Sequence, residues 1–197
     1  MRIAGGRFGG IRLKTPKTDA VRPTQDRVRE AIFSMLQTEV PGSDFLDLFA
    51  GTGAVGIEAL SRGAASATFV EIDRRHVATL KENLAAALRA AAHGDAAPRT
   101  EIAAADAYRW IAGYSGRGFS IAFADPPYAL GADKGYASVL ATLSARGVVR
   151  PGGLFVAEMT AVQGAEETPG WELVRDRRYG KTRICIWRRD KTQGGTV

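Results

Sequence analysis

At 197 residues the chain suits one domain with a short extension, and a hydrophobic content of 45% supplies a real core, which argues against intrinsic disorder. A single cysteine, Cys185, excludes an internal disulfide or a thiolate metal cluster, and His76 and His93 among scattered carboxylates show no metal-ligand spacing. The net charge of +6 is uneven: residues 1–30 and 172–191 each carry eight basic against three acidic side chains, whereas the stretch between them carries 11 basic and 15 acidic, a pattern that points to polyanion-binding termini around an acidic middle.

The opening MRIAGGRFGGIRLK is positively charged but no apolar segment follows it, and no window reaches the length of a membrane helix, so a cytoplasmic protein without a membrane partner is expected. Residues 1–16 read as short extended pieces broken by Gly5-Gly6 and Gly9-Gly10, a hairpin or flexible arm more than a core element. Pro23 and Thr24 then start a helix with Asp26 in its first turn, and Val28, Ile32 and Met35/Leu36 repeat on one face.

From Phe45 onward apolar runs alternate with helical patterns. The strand candidates are Phe45–Phe49, Ala67–Ile72, Thr100–Ala104, Phe119–Ala124 and Leu154–Glu158. Helices are predicted over Val55–Arg62, Arg74–Ala92, Ala107–Ile111 and Tyr136–Ala145, with Gly63 and Gly147 as stops. This alternation predicts an α/β fold with a parallel sheet. Trp171–Arg178 and Thr182–Arg189 flank Tyr179-Gly180-Lys181 as an antiparallel hairpin. The expected organisation is a basic arm over residues 1–20, a main domain over 21–189 and a disordered tail over 190–197.

Gly51-Thr52-Gly53-Ala54-Val55-Gly56 follows the first strand and opens a helix, so a ligand can approach the backbone closely beside free N–H groups. Dinucleotides and S-adenosylmethionine both use such a turn. Glu71 ends the next strand 18 positions after Gly53, near the spacing at which a carboxylate accepts from ribose hydroxyls. Asp106, after the third strand, can receive an adenine amino group, which favours S-adenosylmethionine. Asp125-Pro126-Pro127-Tyr128 closes the row after the fourth strand. Each proline fixes φ and removes an N–H, so the turn offers a carboxylate and carbonyls with few competing donors, suited to holding a planar NH2 by both hydrogens while Tyr128 stacks on a base. Cys185 lies outside this row and reads as an ordinary strand cysteine.

Over nearly its whole length the sequence resembles the RsmD-type methyltransferases. The resemblance is carried by Arg2-Ile3-Ala4-Gly5-Gly6, by the stretch from Arg22-Pro23-Thr24-Gln25 to Ala31, by Asp47-Leu48-Phe49-Ala50-Gly51-Thr52-Gly53, by Asp125-Pro126-Pro127-Tyr128 and by Tyr179-Gly180. It implies a Rossmann-like, seven-stranded methyltransferase sheet with helices on both faces, the terminal hairpin supplying the antiparallel strand. It also implies methylation of a guanine N2 amine in bacterial 16S ribosomal RNA, by a monomer acting on the small subunit or an assembly intermediate. S-adenosyl-L-methionine would be the donor, S-adenosyl-L-homocysteine the product, and no metal would take part.

On that resemblance, Asp125, Pro126, Pro127 and Tyr128 are the catalytic candidates. The cofactor candidates are Thr24, Asp47, Ala50, Gly51, Thr52, Gly53, Glu71, Ile72, Asp106 and Ala107. Arg7, Arg12 and Lys14 are candidate RNA contacts, as is Arg22, which can equally shape the start of the helix beside the cofactor. Two other readings stay open: an adenine-N6 DNA methyltransferase, since the same turn suits any exocyclic amine, and a non-catalytic RNA-binding or assembly protein on the same fold. Against the first stands the lack of an evident element for reading a duplex groove; against the second stands the intact Asp125–Tyr128 turn.

Overall fold

The computed structural model describes residues 1–15, 23–90, 97–126, 136–162, 164–165 and 167–191, with the side chains of 23–25 left out. Arg22, Pro127, Tyr128 and the tail from residue 192 therefore lie outside the described residues. The chain divides into two compact units, Met1–Asp106 and Ala107–Val197.

The first unit contains helix α1 (Pro23–Met35), strand β1 (Asp44–Leu48), helix α2 (Ala54–Ser61), strand β2 (Ser66–Glu71), helix α3 (Arg74–Ala90) and strand β3 (Arg99–Ala104). β1 pairs in parallel with β2, and β2 with β3. Apolar residues fill consecutive positions of β1 and β2 because both faces are covered, and Phe45, Leu46, Phe69 and Val70 are buried. β3 is mostly exposed, as an outer strand can be. Gly56 lets α2 press against β2, since a Cβ there would stand 2.3 Å from the Phe69 ring.

Residues 1–15 form a hairpin, with an antiparallel bridge between Arg2 and Arg12 and Ile3 N donating to the Ile11 carbonyl at 3.0 Å. It is built into the unit more deeply than short extended pieces suggest, because Ile3, Phe8 and Leu13 are buried. Its glycines permit the approach: Gly6 has φ +76°, and a Cβ there would lie 2.0 Å from the Ser61 carbonyl oxygen. Glu58 on α2 is fully buried and receives the arm, accepting from Ala4 N at 2.8 Å and Gly5 N at 3.0 Å. Its charge is compensated by Arg62 at 2.8 Å and Arg29 at 3.6 Å.

The second unit contains helix α4 (Ala107–Gly113), strand β4 (Phe119–Ala124), helix α5 (Ala137–Ala145) and strands β5 (Val149–Thr160), β6 (Trp171–Tyr179) and β7 (Thr182–Arg189). β4 and β5 are parallel, whereas β7 runs antiparallel to both β5 and β6. Seven strands thus make a mixed sheet, ordered β3-β2-β1 in the first unit and β4-β5-β7-β6 in the second. The β6–β7 hairpin turns at Gly180, whose φ is +61°. Tyr136, Phe155, Trp171 and Trp187 form its aromatic core.

β5 starts five residues before the predicted Leu154, at Val149. Pro151-Gly152-Gly153 reads as a break, yet the strand continues through it as a bulge: Phe119 pairs with Val149 and Ile121 with Leu154. The basic surplus of residues 172–191 is also less superficial than counting suggests. Arg183 is buried and holds Asp176 by two hydrogen bonds of 2.8 and 2.6 Å, and the buried Arg189 donates to the Val149 carbonyl.

Candidate active site

In the first unit the site is organised around the turn after β1. Phe49 takes φ +61°, the one positive φ outside glycine among the described residues, and is followed by Gly51 at φ +53° and Gly53 at φ +84°. A backbone held in this sparsely populated region is characteristic of ligand-binding turns. Gly53 N donates to the Ala50 carbonyl at 2.8 Å, closing the turn, and its own carbonyl accepts from Ile57 N at 2.9 Å as α2 begins. Asp47, 1% exposed, accepts from Gly56 N at 2.8 Å, so its carboxylate clamps the first turn of that helix.

Glu71 is buried at the end of β2 and uses both oxygens: Oε2 accepts from Gly51 N and Oε1 from Asp73 N, each at 2.7 Å. Each oxygen of an ionised carboxylate has a second acceptor direction, so the Glu71 carboxylate retains capacity for two hydroxyl donors. Ile72, immediately after it, is 65% exposed, an apolar platform of the kind an adenine ring covers. Thr52 offers its carbonyl to Asn83 Nδ2 at 3.0 Å, and the same amide grips the Lys14 carbonyl at 3.0 Å and its N–H at 2.7 Å. Asn83 therefore ties the basic hairpin to the glycine turn. It is not legible as a site residue in the sequence, because a lone Asn in an apolar helical pattern reads as a solvated position. Asp106 is half-buried after β3, and Thr24 lies in the first turn of α1.

Three candidate RNA contacts fall within the described residues. Arg7 and Arg12 are exposed, with the Arg7 guanidinium 4.9 Å from the Phe8 ring centroid. Lys14 reaches Glu82 at 2.7 Å with both side chains exposed, an ion pair that costs little to break.

In the second unit, Asp125 and Pro126 follow β4 at its C-terminal end. Asp125 keeps surface accessible to solvent, yet its carboxyl is enclosed by enough protein that desolvation pushes it up to about 6. Ala107, at the start of α4, is buried. Glu158 on β5 is a second half-buried acid, and burial followed by the charge of Asp125 raises it to about 8. Sequence reasoning ends a strand on Glu158 but gives it no role, because only the pairing of β4 with β5 brings it beside Asp125. Tyr136 donates its hydroxyl to the Glu158 carbonyl at 3.2 Å. Cys185 is buried, its thiol pushed up to about 11 by desolvation, which leaves it protonated and unsuited to be a nucleophile. Among the described residues no group of three or more His, Cys, Asp or Glu side chains could hold a metal ion.

A glycine turn between strand and helix with an acid on the neighbouring strand end is a nucleotide-cofactor arrangement of α/β proteins, and the similarity to known proteins narrows it to the methyltransferase class. The family model described as "Conserved hypothetical protein 95" matches residues 1–188, and the chain belongs to this family, that of the RsmD-type methyltransferases. It is 34% identical over 191 residues to the ribosomal RNA small subunit methyltransferase D of Escherichia coli K12, covering 96% of this chain and 90% of that protein. The solved structure of a candidate methyltransferase of E. coli, yhhF, superposes with TM-score 0.81 at 30% identity, covering 98% of this chain and 99% of that one. An RNA methyltransferase of Salinibacter ruber in complex with S-adenosyl-L-homocysteine shares the fold, with TM-score 0.61 at 15% identity over 91% of this chain and 95% of that one.

Proposed function

We propose that this protein methylates small-subunit ribosomal RNA with S-adenosylmethionine, and that the acceptor is the exocyclic N2 amine of a guanine. The single observation that carries the acceptor chemistry is the desolvated carboxyl of Asp125 at the end of β4, next to a proline that contributes a carbonyl but no N–H. The cofactor supplies a methyl group activated on a sulfonium.

The chain's own residues bind and orient. Glu71 accepts from the ribose hydroxyls with the lone pairs left after Gly51 N and Asp73 N are served. Ile72 covers the adenine and Asp106 accepts its amino group, with Ala107 as a further candidate at the start of α4. Ala50, Gly51, Thr52 and Gly53 give the donor's tail close approach to the backbone, Asp47 keeps α2 in place below the turn, and Thr24 borders the site from α1. Asp125 and the Pro126 carbonyl accept the two amine hydrogens and draw the nitrogen toward tetrahedral geometry, which frees its lone pair from the ring. Pro127 stiffens the turn and Tyr128 stacks on the base. Positioning dominates, and no covalent enzyme intermediate is needed. Arg7, Arg12 and Lys14 bind RNA phosphates, with Arg22 as a further candidate. The protein acts as a monomer in the cytoplasm, on the small subunit or an assembly intermediate.

The test is transfer of labelled methyl from S-adenosylmethionine to small subunits from cells lacking the endogenous activity, followed by digestion to nucleosides. Label in N2-methylguanosine supports the reading. Label in N6-methyladenosine would move the acceptor to adenine, and no label in the presence of intact cofactor binding would favour a non-catalytic assembly protein.

A further inference from the structure

A second carboxyl, the half-buried Glu158, lies close to the exposed Asp125. The parallel pairing of β4 with β5 sets Ile121 opposite Leu154, Phe123 opposite Val156 and Ala124 opposite Ala157. One residue further on, Asp125 leaves the end of β4 while Glu158 continues β5, so the register carries the two acids to neighbouring positions, and the charge of Asp125 acts on Glu158. Glu158 is fixed there from two sides: Ile184 of β7 is its antiparallel partner, and its carbonyl accepts from the Tyr136 hydroxyl at 3.2 Å. Tyr136 is itself packed against Phe155 and Trp187, with ring centroids 5.4 and 6.2 Å away.

Among the described residues, the other titratable groups that act on the pair bring no positive charge to it. Tyr136, ahead of α5, feels Asp125, Glu158, Tyr108 of α4 and Cys185 of β7, and burial with these neighbours holds its hydroxyl protonated. The Cys185 thiol is likewise protonated, and Arg183 of β7 is taken up by Asp176 of β6.

We propose that Asp125 and Glu158 share a single proton, with Glu158 acting as a positioning residue that donates it to Asp125 and so turns the remaining lone pairs of Asp125 toward the substrate amine. The inference rests on the reading that Asp125 receives that amine. Two neighbouring carboxyls whose charges act on one another do not both ionise in the same pH range. Desolvation raises both carboxyls and the charge of Asp125 raises Glu158 further, so the pair releases its two protons in separate steps and is a monoanion between them. A neutral carboxyl is a donor that an ionised one is not, and a hydrogen bond to a charged acceptor is among the strong ones.

The step balances. The amine nitrogen forms a bond to the methyl carbon as the carbon–sulfur bond breaks, sulfur keeps the electron pair, and one proton leaves nitrogen for the Asp125 carboxylate. The pair is then neutral, and loss of that proton to water restores the monoanion.

The test is the pH profile of single-turnover methyl transfer. Wild type should rise through about pH 6 as the monoanion forms, and fall through about pH 8 as Glu158 loses its proton and its donor. Glu158→Gln keeps a donor but has no proton to lose, so the acid limb should stay and the alkaline limb vanish. Glu158→Ala should slow transfer at pH 7 by about 10- to 100-fold, the range for a hydrogen bond to a charged group, with unchanged affinity for S-adenosylmethionine, and glutamine should restore most of that loss. An alkaline limb retained in Glu158→Gln, or a wild-type rate in Glu158→Ala, overturns the proposal.

Carboxyl carbon NMR of the protein alone separates this idea from the reading of the substrate. Two linked titrations that become one in Glu158→Gln support the shared proton even if guanine is not the acceptor. Independent titrations at ordinary carboxylate values overturn it even if guanine is.

Discussion

The carboxylates that close the two units are served differently. Glu71, at the end of β2, has a backbone N–H on each oxygen at 2.7 Å. Asp125 and Glu158, at the ends of β4 and β5, have no cation partner among the described residues and are pushed above the ordinary carboxylate range by burial. A carboxylate ringed by donors is fixed in place and suited to grip a ligand. A desolvated one gains by meeting a donor, and an incoming amine can supply it. The difference divides labour between holding the methyl donor and handling the amine.

The largest effect expected from breaking this division is on the amine side. Asp125→Ala should reduce single-turnover transfer by about 10²- to 10⁴-fold, the usual range for a positioned acid or base. Asp125→Asn should also be poor, since it places a donor beside the substrate NH2. Near-normal rates in both variants would remove Asp125 from the mechanism.

On the holding side, Glu71→Ala should weaken S-adenosylmethionine by about 1.5–3 kcal/mol, as for hydrogen bonds to a charged group, measured by calorimetry. Because the same carboxylate accepts from Gly51 N, the variant should also loosen the turn, visible as faster amide exchange at Gly51. Unchanged affinity would mean that the ribose is held elsewhere.

Stability should sharpen the contrast. A folded-state pKa raised to about 8 means that Glu158 binds its proton more tightly in the native protein than in the unfolded chain. Its contribution is fully present below the ordinary carboxylate value and is lost as pH rises through about 8. Thermal midpoints of wild type should therefore fall relative to Glu158→Gln from about pH 4.5 up to about pH 8 and level off above it, and parallel curves would argue against a neutral Glu158.

The smallest effect belongs to the surface. Neutralising Arg7, Arg12 and Lys14 should flatten the salt dependence of RNA binding by roughly 0.7–0.9 units for each phosphate left without its cation, and should not alter cofactor affinity. Lys14 should contribute as well, because its exposed pair with Glu82 costs little to break. A wild-type slope in the triple variant would move the RNA surface away from the hairpin.

Much of this architecture is legible in the sequence, since strands covered on both faces are nearly continuous apolar runs and the glycine turn sits where one of them meets a helix. Phe119–Ala124 is predicted with the bounds the structure has, while β5 is misjudged at Pro151-Gly152-Gly153, where a bulge imitates a break. Local pattern cannot reveal what depends on distant pairing. Glu158 acquires meaning only from the register of β4 on β5. Glu58 looks like a solvated acid, yet it is buried because the arm's N–H groups and two arginines converge on it. Charge counting fails for the same reason at Arg183 and Arg189, which composition assigns to the surface and packing takes inside.

The most direct measurement of the division between gripping and reacting carboxylates is the calorimetric affinity of Asp125→Ala for S-adenosylmethionine. If Asp125 serves the amine alone, the dissociation constant stays within about twofold of wild type while transfer is lost, a difference under about 0.5 kcal/mol by the usual affinity arithmetic. A loss comparable to that of Glu71→Ala would contradict the account, because Asp125 would then be holding the methyl donor.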